Sequence, residues 1–295
     1  MAWNPVQYLK FGNARMRPAV DLLLRTTTMC STESSNIKSV LDLGCGPGNI
    51  TDALCKAFPS SSVEGIDSSS TMIESAWKTH EQSENKGRVS FRLDDIEEIA
   101  VRESKKYDVI FSNSSLHWCS NHEELLPQIV KNILNPNGGV LAIQMPDTLH
   151  QPSHQLMETA AFRSGLLDEV SNVRIPRVEK EANWYFDLLT PYVRELDMWT
   201  TDYVHQLPTA APSYADSHDT KALRHPVLQF TCSTGLKPIL EALGGEDSEK
   251  CKRYLNEYDR LLYESYPATQ VNNKFVKGRY VTLMPFKRFF LVAKM

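Results

Sequence analysis

The stretch LDLGCGPGN, residues 41–49, decides the fold. It leaves an apolar, β-branched run (SVLDL, 39–43), turns through Gly44, Gly46 and Gly48, and enters a segment where Ile50, Leu54 and Phe58 recur at spacings of four until Pro59 stops the helix. Glycines at a strand-to-helix turn allow a tight bend and let a ligand reach main-chain N–H groups at a helix N-terminus. The spacing GxGxG departs from the dinucleotide pattern GxGxxG, because Asn49 occupies the position after the third glycine. Taken alone, the turn is equally compatible with a glycine bend that holds no ligand.

Working outward, SVEGI (62–66), VSFRL (89–93), YDVIFS (107–112) and GVLAIQM (139–145) read as further strands buried on both faces. Helical patterns separate them. Residues 70–79 place Met72, Ile73, Ala76 and Trp77 on one face, with Thr71 and Glu74 in capping-box register; residues 122–133 repeat the spacing with Leu125, Leu126, Ile129, Val130 and Ile133 ahead of the turn NPNGG (135–139). This alternation predicts an α/β fold, a parallel sheet with helices on both faces. Beyond it, residues 153–170 and 238–266 look helical, and β-like runs return only at 198–207 and in RFFLVAK (288–294). The terminal run most simply re-enters the same sheet beside 198–207 as an antiparallel pair, which makes seven strands and leaves a helical insertion before the last one. The expected organisation is an N-terminal segment covering the site (1–30), a ligand-binding core (31–147) and its continuation (148–207), the insertion (208–285) and the last core strand (286–295). Within the insertion, 208–226 is rich in Pro, Ser, Ala and Asp and predicts a mobile surface loop.

The 295 residues are 41% hydrophobic and 23% charged with a mean hydropathy of -0.36, the composition of a soluble globular protein. With 32 basic and 36 acidic residues, the net charge of -4 lacks the positive field expected of a protein that holds nucleic acid by its phosphates. No segment approaches the roughly 18 apolar residues of a membrane span, and the N-terminus has no apolar run of signal-peptide length, so a cytoplasmic protein is expected. The six cysteines form no CxxC pair, which argues for reduced thiols and against a structural metal.

Two acidic sites extend the glycine signal. In GIDSS (65–69), Asp67 ends the second strand nineteen residues beyond Gly48, where an acid can accept both hydroxyls of a ribose. In LDDIE (93–97), Asp95 ends the third strand, where it can accept from an adenine amino group while Ile96 packs on the ring. All three sites fall at carboxyl ends of parallel strands, where open α/β sheets bind ligands. In this order they resemble class I S-adenosylmethionine-dependent methyltransferases. The resemblance implies a Rossmann-like seven-stranded sheet, S-adenosylmethionine as cofactor, and a role for Asp42 in holding the ammonium of its methionine moiety. Tyr8, closing over the cofactor or simply packing the terminus down, and Ser68, Met72 and Asn113 complete the expected cofactor contacts.

The likeness reaches further. NPVQYLKFGNARMRPAVDLL at the N-terminus, SNSSLHWCSNHEEL (112–125), LAIQMPD (141–147), WTTDYVHQLP (199–208), STGLKPIL (233–240) and PFKRFFLVA (285–293) are similar to segments of trans-aconitate methyltransferases, a match over nearly the whole chain. It implies transfer of a methyl group to a carboxylate oxygen, with a small polycarboxylate as substrate and no role for nucleic acid, membrane or an obligate protein partner. Such an acceptor titrates near pH 4 and is already ionised, so no dedicated general base is expected. The protein must instead supply cations and donors for the carboxylates that do not react. Residues 1–20 carry Lys10, Arg15 and Arg17 without an acid, and residues 271–295 carry Lys274, Lys277, Arg279, Lys287, Arg288 and Lys294, again without one. Arg15, Arg17, Lys287 and Arg288 are candidate acceptor ligands, against the ordinary alternative of a solvated cationic face.

His117 and Trp118 follow the fourth strand and either orient a carboxylate and exclude water or merely pack together. Gln144, polar inside an apolar run, meets either a ligand or an internal partner. Tyr203 and His205 alternate with Val204 and favour a solvent-facing reading over an acceptor contact. Cys45 lacks a neighbouring base and reads as small and structural. Three other functions stay in view: a methyltransferase of the same fold acting on another acceptor, such as a carrier-bound malonyl thioester; a non-catalytic cofactor-binding module; and, last because of the glycine spacing, a nicotinamide oxidoreductase.

Overall fold

The computed structural model describes residues 12–30, 36–148, 150–178, 180–210, 213–216, 224–272 and 278–295, without the side chains of 12–15. The chain runs α1 (Gly12–Met29), β1 (Ser39–Leu43), α2 (Thr51–Ala57), β2 (Ser62–Asp67), α3 (Ser70–His80), β3 (Val89–Leu93), α4 (Ile96–Arg102), β4 (Val109–Asn113), α5 (His122–Gln128), β5 (Val140–Pro146), α6 (Pro152–Arg163), α7 (Leu167–Val170), α8 (Ala182–Leu189), β6 (Glu195–Thr209), α9 (Pro226–Cys232), α10 (Lys237–Ala242), α11 (Glu249–Ser265), β7 (Ala268–Val271) and β8 (Arg279–Lys294).

The sheet has the order β3-β2-β1-β4-β5-β8-β6. Its first five strands are parallel, in a register that sets Val40 beside Val63 and Val109, and Asn113 beside Gln144. β8 closes it antiparallel to β5, with Leu291 opposite Ile143. These are the seven expected strands; β7 is an eighth, paired antiparallel to the start of β8. β1 and β5 read as continuous apolar runs because both faces of the sheet are covered. On one face, Leu41, Leu43, Ile110, Ile143 and Leu291 pack with Leu125, Leu126 and Ile129 from the α5 region and with Tyr185 and Leu189 of α8. α1 lies against β5, with Ala19 and Leu22 buried. Each such Leu or Ile contributes roughly 1.5–3 kcal/mol of burial. The chain builds outward from β1 to β3 and then returns to add β4 on the other side of β1. That reversal makes the gap between the carboxyl ends of β1 and β4 the topological switch point.

Two local expectations are corrected. The capping box at Thr71 and Glu74 does not form, because α3 begins at Ser70 with Ser69 as its N-cap, and the Ser69 hydroxyl meets Thr71 Oγ1 at 2.9 Å rather than a main-chain N–H. The helix expected over 122–133 is α-helical only to Gln128 and widens into a π-turn over Ile129–Ile133, just after Pro127, whose nitrogen cannot donate to the helix.

The chain packs as two compact units, one of residues 1–146, 178–201 and 288–295, the other of 147–177 and 202–287. Residues 147–177, read from sequence as continuing the core, thus group with the insertion. The reason is the pairing of α6 with α11. Tyr258 Oη donates to Ser153 O at 2.8 Å, Tyr254 Oη to Met157 O at 3.2 Å, and Ser153 N–H to Tyr266 Oη at 3.0 Å. In the same unit Tyr203 is 2% exposed and His205 is buried, whereas Val204 is exposed, so the solvent-facing reading of Tyr203 and His205 is wrong. His205 stacks on Phe230, with ring centroids 5.6 Å apart, and that aromatic cluster turns this edge of β6 inward. The loop expected over 208–226 lies mostly outside the described residues, which include a short turn at Tyr214–Asp216. Among the described residues no helix is long and apolar enough to cross a membrane.

Tyr258→Phe removes one buried hydroxyl and its hydrogen bond to the Ser153 carbonyl. The expected cost is about 1–2 kcal/mol of unfolding free energy, read from urea denaturation with an unchanged m-value.

Candidate active site

The glycine turn is shaped by its neighbours on two strands. Gly44 and Cys45 both donate their N–H groups to Ile66 O, each at 2.9 Å, which ties the turn to the end of β2. Gly44 has φ +74°, and a Cβ placed there would fall 2.2 Å from Ser115 Cβ, so this position admits only glycine. A Cβ at Gly46, with φ +55°, would meet nothing within 4 Å among the described residues. Its N–H donates to Asp67 Oδ2 at 3.0 Å. Gly44 thus serves the packing of β1 against the segment after β4, while Gly46 borders open space. Gly48 backs onto the His80 ring.

Three carboxylates end the strands around the turn, and they differ sharply. Asp67 accepts Gly46 N–H on one oxygen and Ser69 N–H on the other, at 3.0 and 2.9 Å, and each oxygen keeps a lone pair. Burial raises its pKa against the pull of these two bonds. Asp42 is fully buried, its Oδ2 has no hydrogen-bond partner among the described residues, and burial, followed by the neighbouring Asp67 charge, pushes its pKa up to about 8. An orphaned buried carboxyl beside a glycine turn fits a ligand that brings a cation or donor to it, which matches the ammonium of S-adenosylmethionine. Asp95 is exposed and caps α4, accepting from Glu97 and Glu98 N–H on Oδ1 alone, so Oδ2 is left for a ligand donor. Its neighbour Asp94 is the buried member of the doublet and is paired with Arg102 and Arg92. Ile96 packs on the core, Met72 is buried, and Ser68 is exposed. Cys45 behaves as a structural thiol: burial first, then Asp42 and Asp67, drives its pKa far above the ordinary range.

At the end of β4 the chain passes through Ser112 and Asn113, the latter an expected cofactor contact, and turns at Ser114 and Ser115, which carry no role in the sequence reading. Ser112 and Ser115 Oγ donate to Leu43 O at 3.2 and 2.6 Å. Ser114 adopts φ +56° and reaches the other way: its N–H donates to Gln144 O at 2.9 Å, its hydroxyl to Gln144 Oε1 at 2.9 Å, and Arg288 Nη1 donates to that hydroxyl at 3.2 Å. Gln144 is 0% and Arg288 3% exposed, and both Gln144 Nε2 and Asn113 Oδ1 are buried without a hydrogen-bond partner among the described residues. His117 is buried and Trp118 half-buried, their rings 5.5 Å apart in a short 3-10 turn that packs on β5.

The other acceptor candidates are placed differently. Arg17 is on the exposed side of α1. Tyr8 and the side chain of Arg15 lie outside the described residues. Lys287 is in the second unit with Tyr203 and forms an ion pair with Asp147 at 2.9 Å, so its charge is already matched. The serine turn could have drawn attention only as a cluster of small hydroxyl residues after a strand, because backbone handedness at Ser114 leaves no trace in composition.

A sheet whose switch point carries a glycine turn and a buried carboxyl fits an S-adenosylmethionine-dependent methyltransferase, and the chain belongs to that class: the methyltransferase domain family matches residues 34–205. Relatives named trans-aconitate 2-methyltransferase are similar over almost their whole length. The one from Variovorax paradoxus (strain S110) is 33% identical, with 99% of this chain and 98% of the relative covered. The relative from Escherichia coli O139:H28 (strain E24377A / ETEC) is 37% identical at 99% and 98% coverage, and that from Klebsiella pneumoniae (strain 342) 36% at 99% and 97%. The chain belongs to the trans-aconitate methyltransferase family.

Two measurements test the cradle. Gly44→Ala is expected to cost about 2 kcal/mol or more in urea unfolding, from left-handed strain plus overpacking on Ser115, whereas Gly46→Ala costs about 1 kcal/mol of strain and mainly weakens S-adenosylhomocysteine binding. The second concerns pH. A cationic ligand group at Asp42 favours the ionised carboxyl, which the unliganded protein forms only as pH rises through about 8. Affinity for S-adenosylhomocysteine is therefore expected to increase between pH 6 and 8, by up to about tenfold per unit, with proton release on binding, and Asp42→Asn removes that slope.

Proposed function

We propose that this chain transfers the methyl group of S-adenosylmethionine to a carboxylate oxygen of trans-aconitate or a closely related small polycarboxylate, giving a monomethyl ester and S-adenosylhomocysteine. The observation that carries this reading is the extent of the similarity to trans-aconitate 2-methyltransferases, 33–37% identity over 99% of the chain, which includes the residues beyond the cofactor core. S-adenosylmethionine supplies an electrophilic methyl group on a sulfonium. Asp67 is the proposed ribose ligand, Asp42 the partner of the ammonium, Asp95 and Ile96 the adenine contacts, and Gly44, Gly46, Gly48, Ser68, Met72, Asn113 and Tyr8 complete the cofactor side.

For the acceptor, the chemistry asks for alignment rather than proton transfer. A carboxylate is ionised at neutral pH, so no residue need act as a base. Holding the oxygen in line with the methyl group can supply on the order of 7–11 kcal/mol. Gln144 and Arg288, at the carboxyl end of β5 and on its antiparallel partner, are the proposed ligands of the carboxylates that do not react, with His117 and Trp118 excluding water beside them. Arg17 and Arg15 are proposed to add charge from α1. The proposed compartment is the cytoplasm, and nucleic acid, membrane and an obligate partner protein have no part in this reading.

Incubation with methyl-labelled S-adenosylmethionine and a panel of acids tests it. Base-labile label is expected in trans-aconitate and not in monocarboxylates, and a blank panel overturns the proposal. Asp67→Ala is expected to weaken S-adenosylhomocysteine binding at least tenfold, the loss typical of a buried charge-assisted hydrogen bond. Arg17→Ala is expected to raise the KM for the acid and leave cofactor affinity intact; a change confined to cofactor affinity would remove Arg17 from the acceptor site.

A further inference from the structure

We propose that Ser114 is the positioning residue of a carboxylate subsite whose donor is the side-chain amide of Gln144. The proposal rests on the reading of a polycarboxylate acceptor given above.

The hydrogen bonds at Ser114 determine which way the Gln144 amide points. A serine hydroxyl has one proton and two lone pairs, and a guanidinium can only donate. Arg288 Nη1, at 3.2 Å, therefore occupies a lone pair of Ser114 Oγ and leaves its single proton for Gln144 Oε1 at 2.9 Å. The opposite amide orientation would turn Gln144 Nε2 toward Ser114 and leave the serine proton without an acceptor. With Oε1 so engaged, Nε2 is the outward member of the amide, and it is buried with no partner among the described residues. An orphaned donor at a residue that is 0% exposed matches a ligand atom that only accepts. An ionised carboxylate is such an acceptor, and the Arg288 charge beside the same hydroxyl favours an anion over a neutral carbonyl.

The backbone shows that this placement is enforced. Ser114 has φ +56°, a left-handed conformation that residues other than Gly, Asn and Asp rarely adopt, and it persists only where the surroundings hold it. Here the Ser114 N–H donates to Gln144 O on one side, and on the other Ser112 and Ser115 anchor the turn to Leu43 O, the carbonyl next to Gly44. One short turn thus fixes the Gln144 amide relative to the glycine loop of the cofactor. The subsite is assigned to a carboxylate that does not react, since the reacting oxygen must stay free of a donor to attack.

Ser114→Gly separates the hydroxyl from the backbone, because glycine takes φ +56° without strain. Calorimetric titration of trans-aconitate into the S-adenosylhomocysteine-loaded protein is expected to show affinity reduced about tenfold, with a matching rise in KM, a kcat changed less than threefold, and unchanged melting temperature and S-adenosylhomocysteine affinity. Gln144→Met, close in volume, is expected to give the same split. Ser114→Asn, which tolerates the left-handed backbone and offers both an acceptor to Arg288 and a donor to Gln144 Oε1, is expected to recover most of the loss. Unchanged trans-aconitate affinity in both Ser114→Gly and Gln144→Met, or a loss shared equally by S-adenosylhomocysteine, overturns the proposal. If the unaltered protein neither binds nor methylates any acid of the panel, the polycarboxylate reading itself fails and the subsite fails with it; if it does both and the variants are silent, only the subsite fails.

Discussion

The carbonyl of Leu43 accepts two serine hydroxyls, one from the end of β4 and one from the turn after it, and immediately beyond it the chain must bend at a residue with no room for a side chain. This joint holds the carboxyl ends of β1 and β4 together at the point where the sheet reverses its order of assembly. Everything chemical in the first unit is hung from it. On one side the glycine turn passes to Asp67 and the end of β2; on the other, Ser114 passes to Gln144 and Arg288. A reaction whose barrier is lowered mainly by holding two partners in line needs such a rigid connection between the holders, because an error of an ångström at either end is felt at the reacting atoms.

The electrostatics of the cradle depend on a hierarchy among three acids that look equivalent in the chain. Asp95 spends one oxygen on a helix cap at the surface, Asp67 is half-buried and supported by two main-chain N–H groups, and Asp42 is buried with an unmatched oxygen. Burial and the neighbouring Asp67 charge push the pKa of Asp42 up to about 8. Packing two carboxyls close together is costly while both are charged, and burial together with the Asp67 charge opposes ionisation of Asp42. The overall charge of -4 says nothing of this. What matters is which acids are buried and which bases face them.

The parallel core was legible in the residues because its signals are local: β-branched runs bounded by glycine and acid, and apolar spacings of three and four between them. The class of ligand followed from Gly44, Gly46, Asp67 and Asp95 at successive strand ends. Other features depend on tertiary partners and were out of reach. Tyr203 and His205 look like the wet side of an alternating strand, yet both are buried, and His205 packs on Phe230 and Phe286 from other elements. Residues 147–177 look like more core until Tyr254, Tyr258 and Tyr266 bind them to α11 and the segment after it. The charge of Lys287 reads as available until the fold sets Asp147 beside it. Ser114 was invisible, since its importance comes from a left-handed backbone and from two neighbours on different strands.

β6 and β8 each begin in one unit and end in the other, so the unit boundaries at 201/202 and 287/288 fall inside strands rather than in loops. A linker can be cut, lengthened or exchanged without disturbing what it joins, whereas a strand interior cannot. The two units are therefore not separable modules. In this chain, then, the second unit cannot be excised or exchanged as a cassette without cutting through β6 and β8.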